Sequence, residues 1–221
     1  MRTEKVGRAE LYLADCMDLM KDYPDKAFDI AIVDPPYGGA GCNLWKGKNN
    51  TRFGGKFDKY NIDKNPLNWD YPPSEEYFNQ LFRISKYQVI WGGNYFALPP
   101  TRNFLIWYKT TIPENFSMAM AEYAWTNLSG SAKVFKYGAN GSKSKPRIHP
   151  TQKPVELYKW ILSLYAKKGD KILDTHMGSG SLEVACIELG FDVVGIEINE
   201  TYFNGALERI KTANKQRRLF D

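Results

Sequence analysis

The C-terminal third of the chain contains a strand, a glycine turn, a helix and a second strand in direct succession. KILDT and DVVGIE are short apolar runs typical of buried strands, HMGSGS supplies the turn, and LEVACIEL has the length of a helix that ends at Gly190. This order defines a βαβ unit, in which the two strands are parallel. We therefore expect an α/β fold with a mostly parallel sheet.

Another buried strand, FDIAIV, ends at the segment DPPYGG. Its almost continuous apolar character is typical of a parallel strand that is covered on both faces. Pro35 and Pro36 cannot donate backbone hydrogen bonds and have a fixed φ angle, so the strand must end at Asp34. The sequence thus places a carboxylate and the ring of Tyr37 on a rigid loop at the carboxyl end of a strand.

Composition favours one soluble domain. The 221 residues can bury a core without disulfides, and the formal charge of +5 mildly favours a polyanionic partner. The three cysteines have no metal-ligand spacing, and no apolar run has the length of a signal-peptide core or of a membrane span. We expect a cytoplasmic protein without a membrane span or a metal, with one domain over residues 1–221 and basic insertions at 38–71 and 138–148.

The glycine turn indicates a nucleoside-containing cofactor. Gly178 and Gly180 permit a tight turn and close approach of a ligand, and Glu197, seventeen residues after Gly180, is placed to accept hydrogen bonds from ribose hydroxyls. A dinucleotide fingerprint would have a third glycine where Glu183 stands, and a carboxylate there would repel a pyrophosphate. A cofactor with a ribose but no phosphate, such as S-adenosylmethionine, avoids this conflict.

The DPPY segment offers groups that suit methyl transfer to an exocyclic amino group of a base. The lone pair of that amino group is delocalised into the ring, and acceptors on its two N–H bonds help it to rehybridise. Asp34 supplies one acceptor, the carbonyl of Pro35 supplies a second, and Tyr37 offers a ring for stacking. The two prolines keep this geometry fixed.

Three motifs in a fixed order, DPPY, HPTQKP and D-x-x-x-G-S-G, make the chain resemble the amino-methylating DNA methyltransferases. The catalytic motif precedes the cofactor motif, which resembles the permuted, beta-class arrangement of that family, and the compact chain resembles forms found in bacteriophages and prophages. The likeness covers nearly the whole chain, including QVIWGGNYF and DTHMGSGSLEVACIELGFDVVGIEINETYF.

The resemblance implies a Rossmann-like, seven-stranded, mostly parallel sheet of the S-adenosylmethionine-dependent methyltransferase type, with the basic loops inserted in it. It also implies a catalytic loop and a cofactor site. The catalytic loop consists of Asp34, Pro35, Pro36 and Tyr37. The site for S-adenosylmethionine consists of Asp15, Cys16, Asp34, His149, Gln152, Lys153, Asp174, His176, Gly178, Ser179, Gly180, Ser181 and Glu197.

Some of these assignments have two interpretations. His149, Gln152 and Lys153 are expected either to contact the methionine portion of the cofactor or to brace their own loop. The glycine turn departs from the commoner D-P-F-x-G-S-G-T form, with Thr175, His176 and Ser181 in place of Pro, Phe and Thr. The ring of His176 is expected to keep a flat packing surface against the cofactor. Its side chain is expected either to be partly buried and hydrogen-bonded or to transfer a proton.

A base within a duplex must be flipped out of the stack to reach such a site. The first insertion interleaves basic residues with aromatic ones, which suit phosphate contacts and base stacking respectively, and the second is basic without an acidic residue. They predict a surface for double-stranded DNA, with Lys46, Lys48, Arg52, Lys56, Lys143, Lys145 and Arg147 as its candidate residues.

Of the compatible functions, a site-specific DNA adenine-N6 methyltransferase is favoured, because in this family Asp at the first motif position is commoner for adenine and Ser is frequent for cytosine-N4. Cytosine-N4 methylation, a nucleic-acid-binding module that has lost catalysis, and methylation of RNA or protein glutamine stay open. A nucleotide-linked oxidoreductase lacks the third glycine and a hydride-transfer site. Pairing with a nuclease in a restriction–modification system and a homodimeric state also stay open.

Overall fold

The computed structural model describes residues 1–37, 71–116, 118–139 and 147–217, and the structural statements below concern these ranges. Within them lie nine strands: β1 (Arg2–Val6), β2 (Ala9–Leu13), β3 (Phe28–Val33), β4 (Ser85–Trp91), β5 (Phe104–Lys109), β6 (Ala121–Thr126), β7 (Lys133–Tyr137), β8 (Lys171–Asp174) and β9 (Asp192–Glu197). The α-helices are α1 (Cys16–Met20), α2 (Glu75–Ile84), α3 (Val155–Tyr165), α4 (Ser181–Leu189) and α5 (Glu200–Arg217), and Gly93–Tyr95 forms a short 3₁₀ helix.

The strands form one sheet in the order β1-β2-β9-β8-β3-β4-β6-β5-β7. Five neighbouring strands, from β2 to β4 in that order, are parallel. Their carboxyl ends therefore meet at one edge of the sheet. β6 runs antiparallel to β4, so that its first residues reach the same edge.

The predicted α/β class is confirmed, but the described sheet has more strands than the expected seven. β1 and β7 extend it at its two edges. The hydrophobic pattern gives no sign of β1, because RTEKV buries only Val6 and pairs with β2 as an antiparallel edge strand. The strand is therefore set by its partner rather than by its own composition.

Helix boundaries follow from local sequence. The side chain of Ser74 accepts a hydrogen bond from the backbone N–H of Tyr77 and so caps α2, which has two acidic residues in its first turn. Gly190 ends α4 with a φ of +84°, and its N–H donates to the carbonyl of Cys186. Both boundaries agree with the sequence.

Helices cover both faces of the sheet. The α3, α4 and α5 helices bury their apolar residues on one face, in a cluster that includes Leu157, Ile187 and Phe203. The α1 and α2 helices cover the other face, around Phe28 and Leu81. Because both faces of the central strands are covered, their carboxyl edge is the place where side chains from several strands can meet a ligand.

No helix in the described ranges combines the length and the apolar composition that crossing a bilayer requires. The same ranges contain no group of three or more His, Cys, Asp or Glu side chains that could hold a metal ion.

Candidate active site

The carboxylate of Asp34 lies at the end of β3 and is held by two donors. The hydroxyl of Tyr37 donates to Oδ1 over 2.6 Å, and the ammonium of Lys153 donates to Oδ2. Each oxygen of a carboxylate can accept more than one hydrogen bond. The two donors therefore fix the orientation of the Asp34 carboxylate and leave it acceptor capacity for a substrate.

The ring of Tyr37 is packed among aromatic and glycine neighbours. It stacks on Tyr95 with a centroid separation of 5.0 Å and an interplanar angle of 24°, and Phe96 meets it edge to face. Gly92, at a φ of +67°, lies so close that an added Cβ would stand 2.1 Å from Cε1 of Tyr37. Burial and the neighbouring Asp34 raise the pKa of Tyr37 well above its ordinary value, so that the phenol keeps its proton and acts as a donor.

Lys153 is almost completely buried and lies between two carboxylates. Its Nζ contacts Asp34 and lies 3.1 Å from Oε2 of Glu122, whose Oε1 lies 2.6 Å from Nζ of Lys109. Burial alone would lower the pKa of Lys153, but Asp34 and Glu122 raise it above its ordinary value. The ammonium is therefore charged, and a cofactor contact for this residue stays a prediction.

The glycine turn follows β8 and is tied to the end of β9. Oε2 of Glu197 accepts a 2.8 Å hydrogen bond from the N–H of Gly178, and Oε1 accepts one of 2.8 Å from Asn199. Gly178 and Gly180 have φ values of +51° and +69°, which favour glycine. Glu197 thus shapes the turn, and each of its oxygens retains a lone pair for another donor.

Arg209 of α5 donates hydrogen bonds to the glycine turn. Its Nη1 donates to the carbonyl of Ser179 over 2.9 Å and to the hydroxyl of Ser181 over 2.8 Å. The hydroxyl of Ser181 in turn donates to the carbonyl of Lys153 over 2.8 Å. The turn is therefore connected to the backbone of the residue that contacts Asp34.

Asp174 and His176 lie at the start of the turn. Oδ1 of Asp174 accepts a 3.0 Å hydrogen bond from the N–H of His176, and burial raises the pKa of Asp174. The ring of His176 contacts the Thr175 hydroxyl through Nδ1 at 2.9 Å and meets the ring of Tyr77 edge-on. Burial lowers the pKa of His176 to about 4, so that the imidazole is neutral at neutral pH. It is a partly buried, hydrogen-bonded side chain, as one of the two sequence interpretations expects.

The HPTQKP segment is braced by its own side chains. Oε1 of Gln152 accepts from the N–H of Ile148, and Nδ1 of His149 lies 3.1 Å from the Thr151 hydroxyl. The ring of His149 also packs against Tyr202 with a centroid separation of 4.3 Å. Burial and Lys153 lower the pKa of His149 to about 3. These contacts support the bracing role, and direct cofactor contact stays a prediction.

Glu183 lies in the first turn of α4, as the sequence predicts, but its carboxyl is buried and does not face a ligand. Its side chain is completely buried against β9, where an added Cβ on Gly195 would lie 2.6 Å from Oε1. Within the described part of the chain, neither of its oxygens has a hydrogen-bond partner, and burial raises its pKa well above the ordinary value. A neutral, buried carboxyl would not repel a phosphate, so the structure does not support that reason for excluding a dinucleotide.

The end of β2 contributes Asp15 and Cys16. Asp15 caps α1, since its Oδ1 accepts from the N–H of Met17 over 2.8 Å. Burial and the Asp15 carboxylate raise the pKa of Cys16 to about 12, which keeps its thiol protonated. β2 pairs with β9 in parallel, with Leu13 opposite Glu197, so that the predicted cofactor residues of both strands lie side by side.

Of the predicted DNA-binding residues, Arg147 alone lies in the described ranges. Its Nη2 donates to the carbonyl of Ala139 over 2.6 Å, and the side chain is half-buried. The others, Lys46, Lys48, Arg52, Lys56, Lys143 and Lys145, lie outside the described residues, as does most of both predicted insertions.

Sequence reasoning missed Glu122, Lys109 and Arg209. Glu122 interrupts an otherwise apolar strand, AEYAWT, and a charge within such a strand requires a partner when it is buried. Arg209 follows the buried residues Ala206 and Leu207 on α5. The sequence positions of Glu122 and Arg209 show that each buried charge needs a partner, but they do not show which residue that partner is.

A family model described as DNA methylase, for N6 and N4 methyltransferases, matches residues 44–208. The chain is 26% identical over 231 residues to the type II methyltransferase M2.MboI of Moraxella bovis, an alignment that covers 85% of this chain and 82% of the relative.

Two solved structures share the fold. The complex of M1.HpyAVI with SAM superposes with a TM-score of 0.59 at 23% identity, covering 91% of this chain and 99% of that one. The cytosine-N4-specific PvuII DNA methyltransferase gives a TM-score of 0.59 at 11% identity, covering 100% and 98%. At these identities, both likenesses concern the fold.

Proposed function

The chain belongs to the DNA methylase family of N6 and N4 methyltransferases, and on this premise we propose that it is a site-specific adenine-N6 methyltransferase. Its substrate is double-stranded DNA, and its methyl donor is S-adenosylmethionine. The observation that carries the proposal is the carboxylate of Asp34, which two donors orient at the end of β3, beside the β8 strand that leads into the glycine turn.

The chemistry of methylation assigns a role to Asp34. An exocyclic amino nitrogen gains positive charge as it attacks an electrophilic carbon, and a carboxylate that accepts one of its N–H bonds stabilises that charge. Because Tyr37 and Lys153 already fix the carboxylate, it does not have to reorganise during the reaction. The carbonyl of Pro35 is the proposed second acceptor.

The residues around the glycine turn fit S-adenosylmethionine. Glu197 has a spare lone pair on each oxygen for ribose hydroxyls, and the next residue, Ile198, exposes 62% of its surface beside it. An acidic acceptor next to an exposed apolar side chain suits a nucleoside. When bound, this cofactor supplies a methyl group on a sulfonium. Asp15, Cys16, Asp174 and the Gly178–Ser181 turn are the other proposed contacts.

We propose that the target base enters after flipping and stacks on aromatic side chains near Tyr37. Once the base has left its Watson–Crick pair, Asp34 accepts a hydrogen bond from its amino group and orients it. The basic residues of the two insertions would contact the DNA phosphates, as the sequence predicts.

Cytosine-N4 methylation is the second candidate, because the amino group of cytosine presents the same N–H donors to Asp34. One of the two solved structures that share the fold is that of the cytosine-N4-specific PvuII DNA methyltransferase. Adenine is preferred on the sequence, since the first position of the motif is Asp and not Ser.

The test is to express the chain in a host without DNA methylation and to map modified bases across the genome by long-read sequencing. N6-methyladenine at one recurring sequence is the expected result. Asp34→Asn, expressed to the same level, is the matched control and should leave the genome unmodified. N4-methylcytosine instead would show that the target base is cytosine and not adenine. An unmodified genome with the wild-type protein would refute the proposed function.

A further inference from the structure

Four charged side chains form a chain that ends on Asp34. Two come from strands and two from loops: Lys109 is the last residue of β5, Glu122 is the second residue of β6, Asp34 follows β3, and Lys153 precedes α3. Lys109 lies 2.6 Å from Glu122, Glu122 lies 3.1 Å from Lys153, and Lys153 contacts Asp34. Two ammonium groups and two carboxylates give the group no net charge.

Glu122 and Lys109 are the members of this group that the proposed reaction does not use, and of the two only Glu122 contacts Lys153. It contacts Lys153 and Lys109, whereas the contacts of Asp34 are made by Lys153 and Tyr37. We propose that Glu122 is a positioning residue for methyl transfer, which holds the Lys153 ammonium in place so that Lys153 can orient the Asp34 carboxylate toward the target amino group. This proposal rests on the proposed function.

Burial explains why one carboxylate is insufficient. The side chain of Lys153 is 3% exposed, and a buried ammonium is stable only when it is paired and hydrogen-bonded. Asp34 must also share its negative charge with a substrate N–H during the reaction. Glu122 is then the carboxylate that keeps the ammonium charged and in position.

The surroundings of Lys153 agree with this role. Its Nζ lies 5.3 Å from the centroid of the buried Trp91 ring, a further favourable contact for a cation. His149 and Asp174 are further titratable groups within electrostatic reach of Lys153, Tyr37 contacts Asp34, and Arg147 and Lys109 interact with Glu122. His149 is neutral, and Asp174 is buried with a raised pKa, so neither replaces Glu122 as a counter-charge.

The central experiment is Glu122→Gln, which keeps the side-chain volume and removes the charge. With saturating DNA and cofactor, we expect the single-turnover rate to fall about 10- to 100-fold, the range that one charged hydrogen bond covers. Cofactor affinity, measured by calorimetry, should stay within about twofold. Glu208→Gln on α5 is the matched control, because that side chain is 74% exposed and contacts Lys211, and it should retain the wild-type rate.

Two further readouts separate positioning from a purely structural role. In Glu122→Gln, the alkaline limb of the pH–rate profile should move to lower pH, because Lys153 loses a partner that raises its pKa. The same decrease should appear in an NMR titration of the lysine side chains of labelled protein, which requires neither DNA nor turnover. An unchanged Lys153 titration would overturn the proposal.

A double-mutant cycle with Lys153→Met tests whether Glu122 affects the methylation rate through Lys153. If Glu122 acts through Lys153, then Glu122→Gln should cost less than about twofold in the Lys153→Met background. If the rate loss of the double variant equals the product of the losses of the two single variants, the proposal is overturned, because Glu122 then acts independently of Lys153. A wild-type protein that transfers no methyl group would refute the proposed function instead, and the NMR titration would still decide the role of Glu122.

Discussion

The hydroxyl of Tyr37 donates a 2.6 Å hydrogen bond to Oδ1 of Asp34, three residues earlier in the same loop. The rigid pair Pro35–Pro36 separates the two residues, so the loop delivers both ends of this bond in one fixed arrangement. The tyrosine therefore has two separable roles, as a donor to the carboxylate and as a ring.

Tyr37→Phe should separate these roles. The variant keeps the ring above Gly92 and loses the hydrogen bond to a charged acceptor, so we expect the single-turnover rate to fall about tenfold. Tyr37→Ala should lose more, because stacking of a base on an aromatic ring contributes about 1–3 kcal/mol. Rapid-quench methylation assays with saturating DNA check the order wild type, Phe, Ala. Equal rates for Phe and Ala would show that the ring has no role.

Asp34→Asn should slow methyl transfer by orders of magnitude without abolishing cofactor binding. The amide removes the negative charge that stabilises the developing positive charge on nitrogen, and loss of one such electrostatic contact costs about 10²–10³-fold in rate. Single-turnover kinetics and calorimetry measure the two quantities on the same preparation. A rate near that of the wild type would contradict the role of Asp34 as the acceptor.

Glu197→Gln should weaken the binding of S-adenosylmethionine about tenfold or more. The amide places an N–H₂ group against one of the backbone N–H groups of Gly178 and Asn199, and it removes a charged acceptor for ribose. Calorimetry with and without EDTA should give the same affinity for the wild type, since we predict no metal in the site. Glu200→Gln, an exposed residue three positions on, is the control and should bind normally.

Arg209→Met should also weaken cofactor binding, although Arg209 lies on α5 behind the turn. The variant removes the donors to Ser179 and Ser181 that fix the turn. We expect a loss of about 1.5–3 kcal/mol in cofactor affinity, as for hydrogen bonds from a charged group. Lys211→Met, on the same helix, is the control. If Arg209→Met lowers the thermal stability but leaves the affinity for the cofactor unchanged, Arg209 has only a structural role.

Both histidines of the chain should make the folded protein sensitive to mild acid. Burial lowers the pKa of His176 to about 4 and that of His149 to about 3, against an ordinary value near 6.5. Between those values the unfolded chain binds protons that the folded chain does not bind. Their contribution to the free energy of unfolding is therefore constant above pH 6.5 and is lost as the pH falls below it.

His176→Phe tests this pH dependence. The variant keeps a flat ring beside Tyr77 and removes one of the two titrating groups. Between pH 7 and pH 5.5, the decrease in the free energy of unfolding should be smaller by about 1 kcal/mol than in the wild type. Urea unfolding at both pH values measures it. An identical decrease in the two proteins would mean that His176 is protonated in the folded state.

The sequence predicts the positions of the site well where parallel strands end. FDIAIV, KILD and DVVGIE each have the apolar run of a covered strand, and the carboxyl ends of parallel strands meet at one edge. Asp34, the glycine turn and Glu197 are therefore predicted together. The end of α4 at Gly190 depends on local sequence alone and is confirmed.

The partners of these groups could not be predicted, because they depend on tertiary contacts. Glu122 reaches Lys153 only because β6 runs antiparallel to β4 and brings its first residues to the same edge. Glu183 shows the reverse case. Its place in the first turn of α4 suggested a charge facing a ligand, whereas packing against Gly195 buries it.

The position of β3 between β4 and β8 has a consequence for the synthesis of the protein. Ile30 pairs with Ile172 on one side, whereas the other neighbour, β4, follows much earlier in the chain. As the chain leaves the ribosome, one edge of β3 therefore has no β8 to pair with until residues 171–174 emerge. An unpaired apolar strand favours aggregation, and long-range pairing is slow. The loop that carries Asp34 thus reaches its final geometry late, and chains that stop short of β8 should be insoluble rather than partly active.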